Sequence, residues 1–224
     1  MEGEIMSKIM KITKIEQQIN NKKRYNIYVN DNYAFSVHED VLISFRLLKG
    51  KEIEQEDFQA IIQEEERNKV WQKSLKYISY RPRTELEVKQ YLTRQGYAIE
   101  LIEPIVNKLK DERLLDDKLY AKQFINQRIN SNPKGRKLLA YEMKNRGLSD
   151  TVIGDTLEEI DDNLEYEMAV KLTEKKLKQL KGQNRTEVQR KLAAYLGRRG
   201  FSYNTINRIL QEHNGNNLQS EESF

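Results

Sequence analysis

The sequence contains no cysteine and only two histidines, His38 and His213. The first absence excludes disulfide cross-links and thiolate metal sites, and the second removes most histidine-based metal and triad chemistry. No apolar run approaches the ~20 residues that a membrane helix requires. The opening segment MEGEIMSKIM has no long apolar core, so no secretion signal is expected. No GxxxxGK[ST] phosphate loop occurs, which argues against autonomous nucleoside triphosphate hydrolysis. Hydrophobic residues make up 38% of the 224 residues against 33% charged, too polar a balance for one thick core. Many thin, half-exposed helical layers suit it better, in a cytoplasmic protein without cofactor or metal.

What the chain does have is charge in blocks. The net charge of +4 hides residues 1–66, with 9 Lys/Arg against 13 Asp/Glu, and residues 67–150, with 19 against 10. Residues 151–165 (TVIGDTLEEIDDNLE) hold six acids and no base, and residues 171–208 hold 11 bases against 2 acids. Basic blocks of this size are footprints for polyanions or acidic protein faces, although a single block is more often a solvated helix surface.

The first third of the chain has strand character. Ile27 and Val29 alternate with Tyr28 and Asn30, and the turn residues NDN (30–32) separate this run from YAFSV. Three short antiparallel strands are predicted over about residues 9–37. From His38 onward the period becomes helical, broken once at Gly50.

The remainder repeats. With Gly96, Gly147 and Gly200 in register, the segments YLTRQGY, EMKNRGL and YLGRRGF align, 51 and 53 residues apart. Apolar residues recur eight before the glycine (Val88, Leu139, Leu192), four before (Leu92, Met143, Leu196), one after (Tyr97, Leu148, Phe201), six after (Ile102, Ile153, Ile206) and ten after (Val106, Leu157, Leu210). The i, i+4 spacing is one helix stripe, and the glycine is the left-handed residue that ends the helix. Ser149 and Ser202 are placed to cap the helices that follow. A basic residue in the last turn suits the helix dipole. One such base suffices, so the pair Arg198–Arg199 is open to another role.

These patterns predict a mainly α protein: tandem three-helix repeats forming an elongated chain, with a small antiparallel β element at the N-terminus. The expected divisions are a β-containing head (1–50), a connecting helical segment (51–80), repeat 1 (81–131), repeat 2 (132–182), a partial repeat 3 (183–213) and a disordered tail (214–224). Repeat 1 would hold helices at Thr84–Gln95, about Ile99–Asp111 and about Asp117–Ile129. The acidic pair Asp116 and Asp117 superficially suggests a metal-dependent nuclease, but a helix N-cap and first turn account for it more simply. No catalytic constellation is predicted. Arg81, Arg83, Arg128, Lys134, Arg136, Arg198 and Arg199 are the candidate interface residues, since repeats stacked in one sense would align them as a stripe.

Three segments together resemble the RecX family of regulatory proteins. They are YRPRTELEVKQYLTRQGY, LLDDKLYAKQFINQRI and KGRKLLAYEMKNRGL, carrying Arg81, Arg83, Thr84, Glu85, Leu86; Leu115, Asp116, Asp117, Ala121, Phe124; Lys134 and Gly135. The resemblance spans about residues 75–212 and the N-terminal segment looks like that of members from low-GC Gram-positive bacteria. Thr84 stands where Ser is usual and Arg136 where Pro is usual. The resemblance implies a non-catalytic monomer that binds the recombinase RecA, typically on its single-stranded DNA filament, and restrains its ATPase, strand exchange and co-protease activity in the DNA damage response. A direct nucleic-acid-binding regulator that reads DNA with helix-turn-helix-like repeats is the alternative, with weak direct DNA binding compatible with both, and a plain helical scaffold is a third reading.

Overall fold

The computed structural model of the protein describes residues 10–221, with side chains through residue 213. The segment MEGEIMSKIM, in which no secretion signal is expected, lies almost wholly outside the described residues, as do residues 222–224 of the expected tail. The chain divides into two compact units, one of Met1–Arg81 with Tyr91–Leu109, the other of Pro82–Gln90 with Lys110–Phe224.

The first unit begins with strands β1 (Met10–Gln17), β2 (Arg24–Val29) and β3 (Asn32–His38), as the alternation predicts. Asn30 and Asp31 link β2 to β3 with φ of 48° and 66°, the two positive angles that a two-residue hairpin matched to strand twist demands. A fourth strand, β4 (Glu52–Ile53), joins β1, giving the antiparallel order β3-β2-β1-β4. Two residues are too few to show a period of two, which is why the sequence concealed it. The helix expected from His38 to a break at Gly50 is instead a six-residue α1 (Glu39–Ser44) followed by a loop. Arg46 and Gly50 take positive φ there, and Gly50 donates to the Ile12 carbonyl at 2.8 Å while the Ile12 N–H donates to that of Lys51 at 2.9 Å. The loop thus returns to the sheet.

One face of the sheet (Ile12, Ile27, Phe35, Val37) buries against Val41, Leu47, Ile53 and Ile61, the last on α2 (Gln55–Ser79). Glu65, also on α2, is buried and pairs with Arg24 at 2.8 Å while accepting the His38 backbone N–H at 2.8 Å. The core therefore crosses the boundary expected at residue 50. The later part of the unit holds the end of α3 (Glu85–Arg94), with Tyr91 stacked on Tyr77 at 3.9 Å, and most of α4 (Ile99–Asp111), with Lys108 over the Trp71 ring at 4.4 Å.

The second unit contains the start of α3 and helices α5 (Asp117–Ser131), α6 (Arg136–Lys144), α7 (Asp150–Leu157), α8 (Asp162–Gln179), α9 (Arg185–Arg198) and α10 (Tyr203–Glu221). Side-chain oxygens of Asp116, Ser149, Asp161 and the Asn184 amide cap α5, α7, α8 and α9. The Ser202 hydroxyl accepts the Thr205 N–H at 3.2 Å in the first turn of α10. Helix α5 packs with α7, and α6 with α7; α8, α9 and α10 pack on one another. A single cluster including Phe124, Ile125, Leu139, Met143, Ile153, Met168, Leu172, Leu192, Leu196 and Phe201 runs through all six helices. The backbone of α10 stays helical to Glu221, beyond the end of the expected partial repeat 3 at residue 213 and into the segment 214–224 expected to be disordered; once nucleated, a helix extends by one bond per residue fixed.

Candidate interaction surface and the joints between repeats

The aligned glycines build three equivalent turns. Gly96, Gly147 and Gly200 have φ of 87°, 83° and 81°. In each, the glycine N–H donates three residues back and the next N–H donates five residues back, from Tyr97 to Leu92, Leu148 to Met143 and Phe201 to Leu196, all at 3.3 Å. This paired closure satisfies the last carbonyls of α3, α6 and α9. Tyr97 is half-buried and Leu148 and Phe201 are buried at the corner.

Two of these turns also receive another helix. The hydroxyl of Thr84, ahead of α3, donates to the Arg146 carbonyl at 2.7 Å. The N–H of Gly135, ahead of α6, donates to the Arg199 carbonyl at 2.9 Å. Thr84 and Gly135 both stand twelve residues before their own repeat's glycine, and Arg146 and Arg199 both stand one before the next. The positive end of one helix thus meets the negative end of its counterpart in the following repeat. A β-carbon at Gly200 would lie 2.4 Å from the Leu138 nitrogen, and one at Gly147 2.3 Å from the Leu86 β-carbon, whereas none comes within 4 Å at Gly96.

A carboxylate completes each joint. Asp117 accepts the Glu85 N–H at 2.9 Å, and Glu165 accepts the Arg136 N–H at 3.0 Å, again from equivalent positions at the starts of α3 and α6. At the first joint Thr84 and Glu87 form a reciprocal capping box, each side chain accepting the other's N–H at 3.2 Å. Burial raises the Asp117 carboxyl above the usual aspartate range, opposed by the Glu85 N–H bond and reinforced by the negative charge of Glu85. Burial also works against ionisation of Glu85, but its bonds to Lys89 and Lys110 prevail and hold it below the usual range. At the second joint the fully buried Glu165 also accepts the Thr205 hydroxyl at 3.0 Å, tying α10 in.

The candidate interface residues divide accordingly. Arg136 binds Asp162, Glu165 and the Ile160 carbonyl. Desolvation opposes its charge, yet the Asp162 hydrogen bond and the Glu165 charge hold the guanidinium above the ordinary arginine range. Glu142 takes both Arg128, at 3.3 Å, and Lys134, and Arg128 also lies over the Phe124 ring. Arg199 donates to the Asn132 side chain at 2.7 Å and lies over Tyr195. The structure therefore brings Lys134, Arg136 and Arg199 to the second joint, with Arg128 linked to it through Glu142. Arg198 projects into solvent with no ion pair among the described residues. Arg81 is exposed in the first unit, and Arg83 is half-buried in the second.

Three participants escaped the sequence reading. Arg146 reaches Tyr120 at 2.8 Å and Glu87 at 3.4 Å and lies over Phe124. Glu142 and Glu165 are the other two. Glu165 left a trace: it shares a helix face with Met168, Ala169 and Leu172, and an acid on an apolar stripe signals a buried partner. Among the described residues no helix is long and apolar enough to cross a membrane.

Known proteins similar to this chain carry the name of a regulatory protein. The chain matches the family models for the regulatory protein RecX N-terminal domain over residues 10–54 and for the first, second and third three-helix domains of RecX over 71–109, 116–157 and 163–210. These domains group α5 with α6 and α7, and α8 with α9 and α10, so the second begins one helix earlier than the expected repeat 132–182, which begins at α6. "Regulatory protein RecX" of Bacillus pumilus is 35% identical over 94% of this chain and 81% of its own length. That of Bacillus licheniformis is 37% identical over 90% and 76%, and that of Clostridioides difficile 30% over 90% and 94%. A crystal structure of regulatory protein RecX superposes with a TM-score of 0.78 at 33% identity, over 91% of this chain and 99% of that one. The crystal structure of RecX from Lactobacillus salivarius gives 0.61 at 32% identity, over 65% and 95%. With sheet, repeats and joints accounted for along nearly its whole length, the chain belongs to the RecX family of regulatory proteins.

Proposed function

We propose that the chain is a non-catalytic, monomeric, cytoplasmic regulator that binds RecA and its filament on single-stranded DNA, restraining ATPase, strand exchange and co-protease activity during DNA repair. The observation that carries this reading is the similarity to a regulatory protein along 94% of the chain. Repeated three-helix domains with regular joints suit a partner that itself repeats, as a filament does. Arg128, Lys134, Arg136 and Arg199 contribute to this interface by holding the second joint, while Arg81, Arg83 and Arg198 make the direct contacts. The planar guanidinium fork suits carboxylate or phosphate oxygens on the partner.

The test is the rate of DNA-dependent ATP hydrolysis by RecA with increasing amounts of the chain. Slowing at substoichiometric or near-equal ratios is the expected result. No effect at a large excess, together with sequence-preferring shifts of naked duplex DNA, would replace this reading by that of a direct DNA-binding regulator. Arg81→Ala, Arg83→Ala and Arg198→Ala together are expected to weaken filament binding and flatten its salt dependence, because counterion release drives such contacts. An unchanged salt slope at unchanged affinity removes these three from the interface.

A further inference from the structure

The first unit contains a cleft of about 600 Å³ that none of the seven candidate residues lines. Its walls carry five cations, Lys23, Arg24, Lys69, Lys73 and Lys76, and no carboxylate. Neighbouring acids act on three of them from outside the lining: Glu65 holds Arg24 at 2.8 Å and Lys69 at 3.9 Å, and Glu39 holds Lys23 at 3.3 Å. Lys73 and Lys76 have no carboxylate partner among the described residues. The Lys73 ammonium lies 5.3 Å from the centre of the half-buried Tyr97 ring, which also lines the cleft.

Lys69, Lys73 and Lys76 follow an i, i+4, i+7 spacing, so they lie in a row along one face of α2, with neighbours separated by about 5–6 Å at their β-carbons. A row of like charges on one side of a cleft repels itself when empty and is relieved by a linear polyanion. Its spacing is comparable with the step between adjacent phosphates of a nucleic-acid strand. The tyrosine beside the row adds a flat apolar face, and a cationic track next to an aromatic ring is the pairing that holds a single strand by its backbone and a base. An acidic protein surface would be met by the cations alone and would make no use of the ring beside them.

We propose that this cleft binds the phosphate backbone of a single-stranded nucleic acid, with Lys69, Lys73 and Lys76 as the phosphate contacts and Tyr97 as the stacking face. The site belongs to this chain alone and requires no RecA, so it stands or falls separately from the regulator reading.

The experiment is fluorescence anisotropy of a dye-labelled oligothymidylate with the full chain at several salt concentrations, in the absence of RecA. Binding stronger than to a duplex of equal length is expected. Replacing Lys69, Lys73 and Lys76 together by Gln is expected to weaken binding about tenfold or more and to reduce the log–log salt slope by about 2, from three lost contacts to a single strand. A charge-matched control, Lys171→Gln with Lys175→Gln and Lys181→Gln, removes exposed lysines of the second unit. The corresponding triple Lys→Arg variant retains the positive charges and is expected to retain binding. Unchanged affinity and slope in the Gln variant, or an equal loss in the control, overturns the site. Equal binding to duplex overturns the single-strand assignment. Displacement by polyglutamate as effective, charge for charge, as by unlabelled oligothymidylate assigns the cleft to an acidic protein instead.

Discussion

Gly96, Gly147 and Gly200 occupy equivalent positions, but they meet different surroundings. All three need a left-handed backbone, which costs a residue with a β-carbon about 1–2 kcal/mol. At Gly200 the added carbon would also stand 2.4 Å from the backbone of Leu138, which starts a docked helix and has no room to retreat. Gly96→Ala is therefore expected to cost about 1 kcal/mol and Gly200→Ala several times that, read as urea midpoints at constant m. Equal losses would mean that the second joint yields easily. The paired aspartates also divide their work. Asp116 accepts the N–H groups of Lys118 at 2.9 Å and Leu119 at 3.0 Å, so Asp116→Ala should cost about 1 kcal/mol. Asp117 caps α3 instead of its own helix, and its carboxyl is raised by burial. The folded state then holds this proton to higher pH than the unfolded state does. Stability linked to Asp117 falls as pH rises from about 4, the unfolded aspartate value, through the raised folded value. Asp117→Asn keeps an acceptor without the charge, so its stability relative to wild type should improve across that window; a difference that ignores pH would sink this account.

Among elements, helices α3 and α6 have a common design. Each starts on a carboxylate from the next long helix and on the last carbonyls of the second helix in the next repeat. The second joint depends most on Glu165, which holds the start of α6, the Arg136 guanidinium and Thr205 of α10. Glu165→Ala leaves the Arg136 N–H and the buried Thr205 hydroxyl without their acceptor and is expected to cost about 1–3 kcal/mol for each orphaned group in thermal or urea unfolding. Glu142 is itself 23% exposed and binds only the Arg128 and Lys134 side chains, with no backbone N–H to orphan, so Glu142→Ala should cost less. A reversed order would mean that the α6 N-terminus is held by its glycine contact alone. These joints also explain why only one arginine of Arg198–Arg199 faces solvent: the carbonyl of Arg199 is an acceptor in the joint, and its side chain follows inward to Asn132.

At the scale of the whole molecule, the sheet is not a removable head. Its apolar face is closed by Ile53 and Ile61, and Arg24 neutralises the buried Glu65 on α2. Deleting residues 1–50 leaves that carboxylate buried without its partner and Ile61 uncovered. Such a truncation should keep helical circular dichroism from the second unit, whose core spans α5 to α10. The amides of residues 55–66 should lose hydrogen-exchange protection while those of α5–α10 keep theirs. Retained protection in 55–66 would show that α2 stands without the sheet. The charge blocks acquire different meanings at this scale too. Much of the basic excess at 128–136 pairs with Glu142, Asp162 and Glu165, whereas the lysine row on α2 faces an open cleft.

Periodicity and chain-local chemistry determined a great deal. The i, i+4 stripes placed α3, α4 and α5 within a few residues, the glycines ended three helices with positive φ, and Asn30–Asp31 made the hairpin turn. These depend on backbone sterics and on burial of one helix face, both local properties. The signature residues pointed to the family for the same reason, since many of them form the joints. Tertiary structure decided the rest. A periodic sequence reveals its period but not its phase, and only packing shows that α5 and α6 both lie against α7. Two-residue β4 carries no readable alternation and exists because β1 offers it a partner. Whether an arginine faces solvent or a carboxylate depends on Glu142, Glu165 and Asn132, which the chain brings to it from 8 to 67 residues away. Long-range pairing of this kind has no signature in the local sequence, because the energy that selects it arises only when the core has formed.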